Sequence, residues 1–509
     1  MQKNKKNIYK LFLINPKMKY HHYGVQKELC NLLGKKIFNF STALPLIAAL
    51  TPDNYKIKII DDSIQKIPKE KPDIVGLTTF TTAKKRCYEI ADYYRSLNIP
   101  VIIGGAHASF ATKEVLEHAD SAIIGEAELV WKECLSDFEK GDLKKIYKAE
   151  KLCDFKNSPI PRWDLTEYKK INIIGVQASR GCPFNCEFCL VEKMFGKKHR
   201  VRDVDDVIEE IKSLPTKRIF FVDDNLTFNK KFIRELIKKI KPLNVSWACQ
   251  ASIEIGDDKD LLEEMSESGC LSILIGFESL NPESIKETHK HQNKVKDYVK
   301  KVKNIHDAGI YVTASFAIGF DSDKLDMYDR IYDFTTKNNL IFSNIFFLLP
   351  APGTDLTKRM MESNRLINID PDFFNANFPG MKYKNFGSLE MYDKYYETLN
   401  KIFSIKTMGE KAIRLLESGA FKKPGAKDVK LLEKILSTPK LIKRYYFSKN
   451  KDKKELFKKM FLIGRNKIAS WDHIAYLLLA ILGFDEYMNN YKKLYPELRK
   501  EVAKFDKAN

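Results

Sequence analysis

Ser179-Arg180-Gly181-Cys182-Pro183-Phe184-Asn185-Cys186-Glu187-Phe188-Cys189 holds three cysteines in the pattern C-x-x-x-C-x-x-C. The stretch before it, Ile173 to Ala178, reads as a buried strand. The cysteines therefore sit on the loop leaving a strand end, where α/β folds place their chemistry. Thiolates hold iron–sulfur clusters. Three of them can hold three irons of a [4Fe–4S] cube and leave the fourth iron open to a substrate or cofactor. Zinc is the competing reading, but zinc takes four ligands, often as two C-x-x-C pairs, and no second pair is present.

Outward from this loop, residues 171–365 alternate strand and helix. The pattern predicts strands at Ile173–Ala178, Arg218–Val222, Ser246–Ala251, Ser272–Phe277, Tyr311–Ile318 and Asn344–Leu349. Six such units make a partial (β/α)6 TIM barrel, whose working face is the carboxyl end of the strands. Polar residues stand at those ends: Asp223-Asp224-Asn225, Ser252 with Glu254, Glu278-Ser279, and Gly319-Phe320-Asp321. A Glu after an apolar strand is costly unless it is paired or faces a site.

The cysteine spacing, with Phe188 just before the last cysteine, resembles the signature of the radical S-adenosylmethionine (SAM) enzymes. The resemblance implies that Cys182, Cys186 and Cys189 ligate the cluster and that the open iron chelates SAM. Electron transfer would then cleave SAM to methionine and a 5′-deoxyadenosyl radical. It further implies that Asp224 takes the methionine amine, that Ser252 and Glu278 contact SAM, and that Phe188 covers the adenine or shields the cluster. Gly319 would allow close approach to adenine. From the residues alone, Asp224 and Ser252 read equally as helix caps and Phe188 as packing.

Residues 1–140 predict five strands in strand–helix alternation: Tyr9–Ile14, Ile57–Ile60, Asp73–Leu77, Val101–Ile103 and Ser121–Ile124. That order gives an open, Rossmann-like parallel sheet with helices on both faces, binding ligands beyond its carboxyl edge. Such a sheet before a radical SAM domain resembles the cobalamin-binding domain of the class B radical SAM methyltransferases. The resemblance places Thr78 and Thr79 against the corrin amides, with the Gly104-Gly105-x-His107 and Gly125-Glu126-x-Glu128 loops around the cofactor. His21 stands in an H-x-x-G fragment, but Lys19 replaces the orienting Asp, so a surface histidine is expected rather than a cobalt ligand. A sheet that kept its shape and lost the cofactor is the alternative.

Residues 141–170 read as a Pro-punctuated linker and 366–509 as a helical domain without a chemical motif. In that domain the run Lys449-Asn450-Lys451-Asp452-Lys453-Lys454 precedes the apolar stretch Ile468 to Tyr487. Such a pair can lie in a membrane interface or pack as a buried helix behind a solvated loop.

The chain of 509 residues is long enough for two or three domains, and its nine cysteines show no framework outside the triad. A reducing cytoplasm is expected, with peripheral membrane contact as an added reading. The net charge of +20 is lysine scattered over helices without a nucleic-acid module, so nucleic acid is not an expected partner. The expectation is a cobalamin-dependent methyltransferase acting on an unactivated carbon of a small molecule or lipid. A reductant such as ferredoxin or flavodoxin would supply the electron. Radical cyclisation, coupling or oxidation without methylation stays open, as does a non-catalytic cobalamin or redox sensor.

Overall fold

The computed structural model describes residues 7–20, 29–39, 41–422 and 439–507. His21 lies outside them.

The first sheet carries strands β1 Tyr9–Asn15, β2 Tyr55–Asp61, β3 Ile74–Thr78, β4 Val101–Gly104, β5 Ser121–Ile124 and β6 Ile146–Lys148. All its pairings are parallel, in the order β2-β1-β3-β4-β5-β6. The chain reverses its direction of travel across the sheet between β1 and β3, the switch point where such folds open a crevice. Alternation along β1 explains the double cover. Leu11 and Leu13 join one apolar cluster, with Trp131 and Leu135 of helix Trp131–Lys140. Phe12 and Ile14 join another, with Tyr88 and Ile90 of helix Lys84–Ser96.

The sixth strand falls inside the stretch read as linker. It has three residues, too few for a period-two signal, and only Tyr147 is buried. That ring anchors the strand by donating its hydroxyl to Asp137 at 3.0 Å.

Strands β7 Ile174–Val176, β10 Arg218–Phe221, β11 Ser246–Ala251, β12 Cys270–Glu278, β13 Tyr311–Ile318 and β14 Phe342–Phe347 form the second parallel sheet, in chain order from one edge to the other. Between β7 and β10 a short antiparallel pair intervenes, β8 Ser179–Arg180 with β9 Arg200–Val201. Helices Val204–Ser213, Lys230–Ile240, Lys259–Glu267, Tyr298–Asp307 and Met327–Lys337 fall between the strands. This is the open half-barrel that the strand–helix period implied.

The C-terminal region opens with irregular chain, including a bridge between Leu366 and Met381 and one turn at Pro371–Phe373, and is a series of helices from Ser388 onward among the described residues. Its helix Trp471–Phe505 runs beside β14, the edge strand. Tyr476 meets Tyr311 and Phe342, Phe484 meets Phe342, and Tyr491 hydrogen-bonds Tyr392, whose ring lies 6.5 Å from Phe347. Ile474 to Phe484 is buried apart from Tyr476. Most of the apolar stretch that allowed an interfacial reading is therefore core, while Trp471 near its start stays exposed. No helix among the described residues is long and apolar enough to cross a membrane.

Lys411, fully buried on helix Ile405–Glu417, donates from Nζ to the Leu340 carbonyl at 2.9 Å. Burial, and then the Arg414 charge, push its pKa down to about 7. The unfolded amine titrates near about 10.4. The unfolded chain therefore binds the extra proton between those values, and the penalty on folding is full below pH 7 and fades as pH rises. Lys411→Met should shift the thermal midpoint more favourably at pH 6 than at pH 9 in circular-dichroism melts, because the lost hydrogen bond weighs equally at both. An identical shift at the two pH values would refute the buried charge as the cause.

Candidate active site

The three cysteines lie on the loop from β8 to β9 at the carboxyl end of the half-barrel. All three are half-buried free thiols, and each feels the charge of another across the loop. Burial pushes all three up, Cys189 to about 11, while the backbone N–H groups of Phe184 and Val191 act against this at Cys182 and Cys189. Among the described residues no three His, Cys, Asp or Glu side chains converge as ligands of a single ion would. Neighbouring unpaired thiols with backbone donors aimed at sulfur fit ligands for separate corners of a cluster.

Asp223 is fully buried and fastens this loop to β10. Its carboxylate accepts the Ala178 N–H at 3.2 Å and the Ser179 hydroxyl at 2.5 Å, and burial pushes its pKa to about 7. Asp224 accepts the Gly181 N–H at 3.0 Å, and its charge reaches Cys182 and Cys189. The capping alternative for Asp224 fails, because Asn229 caps the following helix by accepting the Phe232 N–H at 3.1 Å. Ser252 is half-buried at the end of β11. Its N–H donates to Asn225 at 3.3 Å and its hydroxyl to Glu254 at 3.2 Å.

Glu278 behaves differently from the expectation. It is buried, at φ +60°, and its carboxylate is paired with Lys290 at 2.5 Å. Lys290 also donates to the Gly276 carbonyl at 2.9 Å, and its charge reaches all three thiols. Burial opposes the charge on Lys290, but Glu278 and the thiols outweigh it and hold the amine above its usual value. Sequence reasoning missed Lys290 because it stands in the unpatterned turn His289-Lys290-His291; only its burial beside sulfur marks it. Phe188 is partly buried, its ring 6.5 Å from Phe320. Gly319, expected to admit adenine, is instead closed by the Tyr383 ring, which occupies the space of a Cβ.

Opposite this mouth stands the carboxyl edge of the first sheet. Gly105 at φ +100° folds its loop onto β3, where any Cβ would fall 2.8 Å from the Thr79 carbonyl oxygen. Thr79 N–H donates to Gly104 at 3.0 Å, and Gly125 N–H to Ser109 Oγ at 2.9 Å. Thr78 stays half-buried at the strand end. Phe80 is 60 % exposed beside it, an apolar surface on the edge that suits the face of a corrin. His107 is buried, with its ring nitrogens at Thr81 and Tyr88. The edge faces the barrel: the Phe110 ring rests on Gly353, and Tyr20 packs on Phe373 and Phe378.

Glu126 is the largest departure on this side. Its carboxylate is spent on Arg180 at 2.8 Å, on Arg200 at 2.8 and 2.9 Å, and on the Cys153 N–H at 2.9 Å. Glu128 takes Arg180 at 2.6 Å. Burial opposes the Glu126 charge, but Arg200 and Arg180 hold its carboxyl below the usual range. The Arg180 guanidinium lies 4.4 Å from the centre of the Phe155 ring. Glu126 thus clasps the sheet domain to the cysteine loop instead of facing a corrin. Glu126→Ala leaves buried arginines short of a partner and should cost about 3–5 kcal/mol in denaturant melts. Lys85→Ala, which breaks exposed pairs with Asp370 and Asp372 between the sheet domain and the C-terminal region, should cost under about 1 kcal/mol. Equal losses would refute the clasp.

Residues 176–335 match the model of the Radical SAM superfamily, and residues 42–135 match that of the B12 binding domain. The Bacteriochlorophyllide d C-12(1)-methyltransferase of Chlorobaculum tepidum is 29 % identical over 71 % of this chain and 82 % of its own. An uncharacterized methyltransferase of Pyrococcus horikoshii is 30 % identical over 68 % of this chain and 83 % of its own. The cobalamin-dependent radical enzyme OxsB, solved with aqua-cobalamin, superposes with a TM-score of 0.61 at 14 % identity over 98 % of this chain and 85 % of its own, a likeness of fold. A cysteine loop that faces a corrin-type sheet edge and both models matched on one chain lead to the same place, and the chain belongs to the cobalamin-dependent radical SAM enzymes.

Proposed function

We propose that this enzyme methylates an unactivated carbon of a small molecule, with the substrate held between the cysteine loop and the edge of the first sheet. The observation that carries this is the fixed apposition of the two sites: Arg180, two residues before Cys182, is locked to Glu126 and Glu128 beside the corrin edge. When bound, the cluster and SAM supply the 5′-deoxyadenosyl radical, and the corrin supplies the methyl group.

Cys182, Cys186 and Cys189 would hold the cluster. Asp224 offers a carboxylate at the cluster edge for the SAM ammonium. Glu278 holds Lys290, which supplies positive charge beside the thiols for the anionic cluster or the SAM carboxylate. Ser252 and Phe188 line the same mouth as polar and apolar contacts. Thr78, Gly104, Gly105 and Gly125 would form the small-residue ledge that holds the corrin, with Phe80 as the exposed apolar contact beside them, whereas Thr79 is buried with its hydroxyl donating to the Phe80 carbonyl and would contribute backbone only. A small reductant protein such as ferredoxin or flavodoxin supplies the electron. Bacteriochlorophyllide, the substrate named for one relative, is the first compound to try.

Methylation consumes two SAM molecules, one as methyl donor and one as radical source. S-adenosylhomocysteine and 5′-deoxyadenosine should therefore appear in step with methylated product in anaerobic assays of the reconstituted enzyme. Deoxyadenosine with product but without S-adenosylhomocysteine would refute methyl transfer. Cys186→Ala should lose reductive SAM cleavage altogether. Asp224→Asn should keep its iron and raise the KM for SAM roughly tenfold, the size of one charge-assisted hydrogen bond; an unchanged KM would remove Asp224 from the site.

A further inference from the structure

We propose that helix Lys451–Arg465 and the start of helix Trp471–Phe505 form a docking surface for an anionic lipid membrane. The surface takes in the lysine run and Trp471, at the start of the apolar stretch Ile468 to Tyr487 whose segment Ile474–Phe484 is core, and it is independent of the chemistry at the cysteines.

The first observation is exposed apolar bulk. Phe461 and Leu462 are each 50 % exposed and Trp471 is 39 % exposed. The Phe461 and Trp471 rings meet at 5.5 Å and make one apolar tip, with Leu462 exposed at the adjoining helix position. Trp471 sits directly over Gly464, where any Cβ would strike the indole, so helix packing fixes the tip in place. A second aromatic pair, Tyr446 with Phe447, stands exposed in the turn before Lys451, its rings 5.1 Å apart.

The second observation is charge arranged around that tip. Lys454, Lys458, Phe461, Leu462 and Arg465 recur at helical spacing and share one stripe of helix Lys451–Arg465, while Leu456, Met460 and Ile463 face the core. Lys454, Lys458 and Arg465 are exposed with no ion pair among the described residues. Residues 439–467 carry eleven Lys and Arg against two acidic residues, Asp452 and Glu455. Cations elsewhere on this element are used internally, Lys453 on Asp485 at 2.6 Å and Lys459 on Glu455 at 2.7 Å.

The composition selects the partner. Nine of the eleven cations are lysine. Protein interfaces favour arginine and are depleted in lysine, because shaped partners reward the guanidinium fork. A lysine field around a bulky aromatic and aliphatic tip matches a planar anionic surface, where charge draws the helix in and the tip enters the headgroup boundary. An exposed apolar group rimmed by one sign of charge marks an interaction site rather than ordinary surface.

The test is flotation of the full-length reconstituted enzyme with two vesicle types, phosphatidylcholine alone and phosphatidylcholine with about 30 mol % phosphatidylglycerol. Binding to the anionic vesicles should exceed binding to neutral ones by roughly tenfold and should collapse in high salt. Phe461→Ser with Leu462→Ser, and separately Lys454→Glu with Lys458→Glu, should each reduce binding by roughly tenfold. Iron content and helicity should stay unchanged, since all four positions are exposed. Wild-type enzyme that ignores anionic vesicles would overturn the proposal, as would both double variants binding like wild type. Variants that slow electron delivery from flavodoxin, in an enzyme that never binds vesicles, would reassign the surface to an acidic protein.

Discussion

A buried guanidinium sets the terms for this molecule. Arg180 lies two residues before Cys182, almost wholly out of water, and a buried cation is tolerated only with carboxylates in contact. Its partners, Glu126 and Glu128, come from the loop after β5 in the other sheet. Neither half of the molecule can satisfy its own charges. The cysteine loop is therefore positioned by the domain that faces it, and the two cofactor edges are held in register by electrostatics rather than by a linker.

The far end of the same loop is tied with equal care. Glu187, between Cys186 and Phe188, takes Arg359 through two bonds of 2.6 and 2.9 Å. Arg359 passes on to Asp321, which also receives Arg365. These residues stand at the end of β13 and in the helix and turn that follow β14, so the cluster loop is braced against strand ends on both sides. A radical must be formed at a fixed distance from its target, and a loop pinned at both ends gives that constancy where a free loop does not.

The elements were legible because their signals are local. Ser246–Ala251 and Tyr311–Ile318 read with their observed bounds, since alternation is a property of neighbours. The cysteines were legible by spacing alone. What failed was long-range pairing. Glu126 looked like a ligand because it follows a strand end, yet its partners lie 54 and 74 positions away. Gly319 looked like an opening because it is a glycine, yet Tyr383 from the C-terminal region fills the space. A strand end announces that a site is near; it does not say which polar residue is already spent on another part of the fold.

Lys290 and Glu278 follow from one further constraint, the burial of ionisable groups. Three thiols, Asp224 and the buried Asp223 converge on one end of a low-dielectric barrel, where burial disfavours the charged form of each and pushes all of them up. The Lys290 charge acts against that rise at all three sulfurs. A lysine on a flexible stem would swing out to solvent, since its hydration is strong. The carboxylate of Glu278 and the carbonyl of Gly276 hold it in. The positive φ of Glu278 and the missing side chain at Gly276, where any Cβ would strike both charged groups, are the backbone conditions for that grip. The glutamate that the sequence offered as a cofactor contact is paired with a lysine, and it is the lysine charge that reaches the sulfurs.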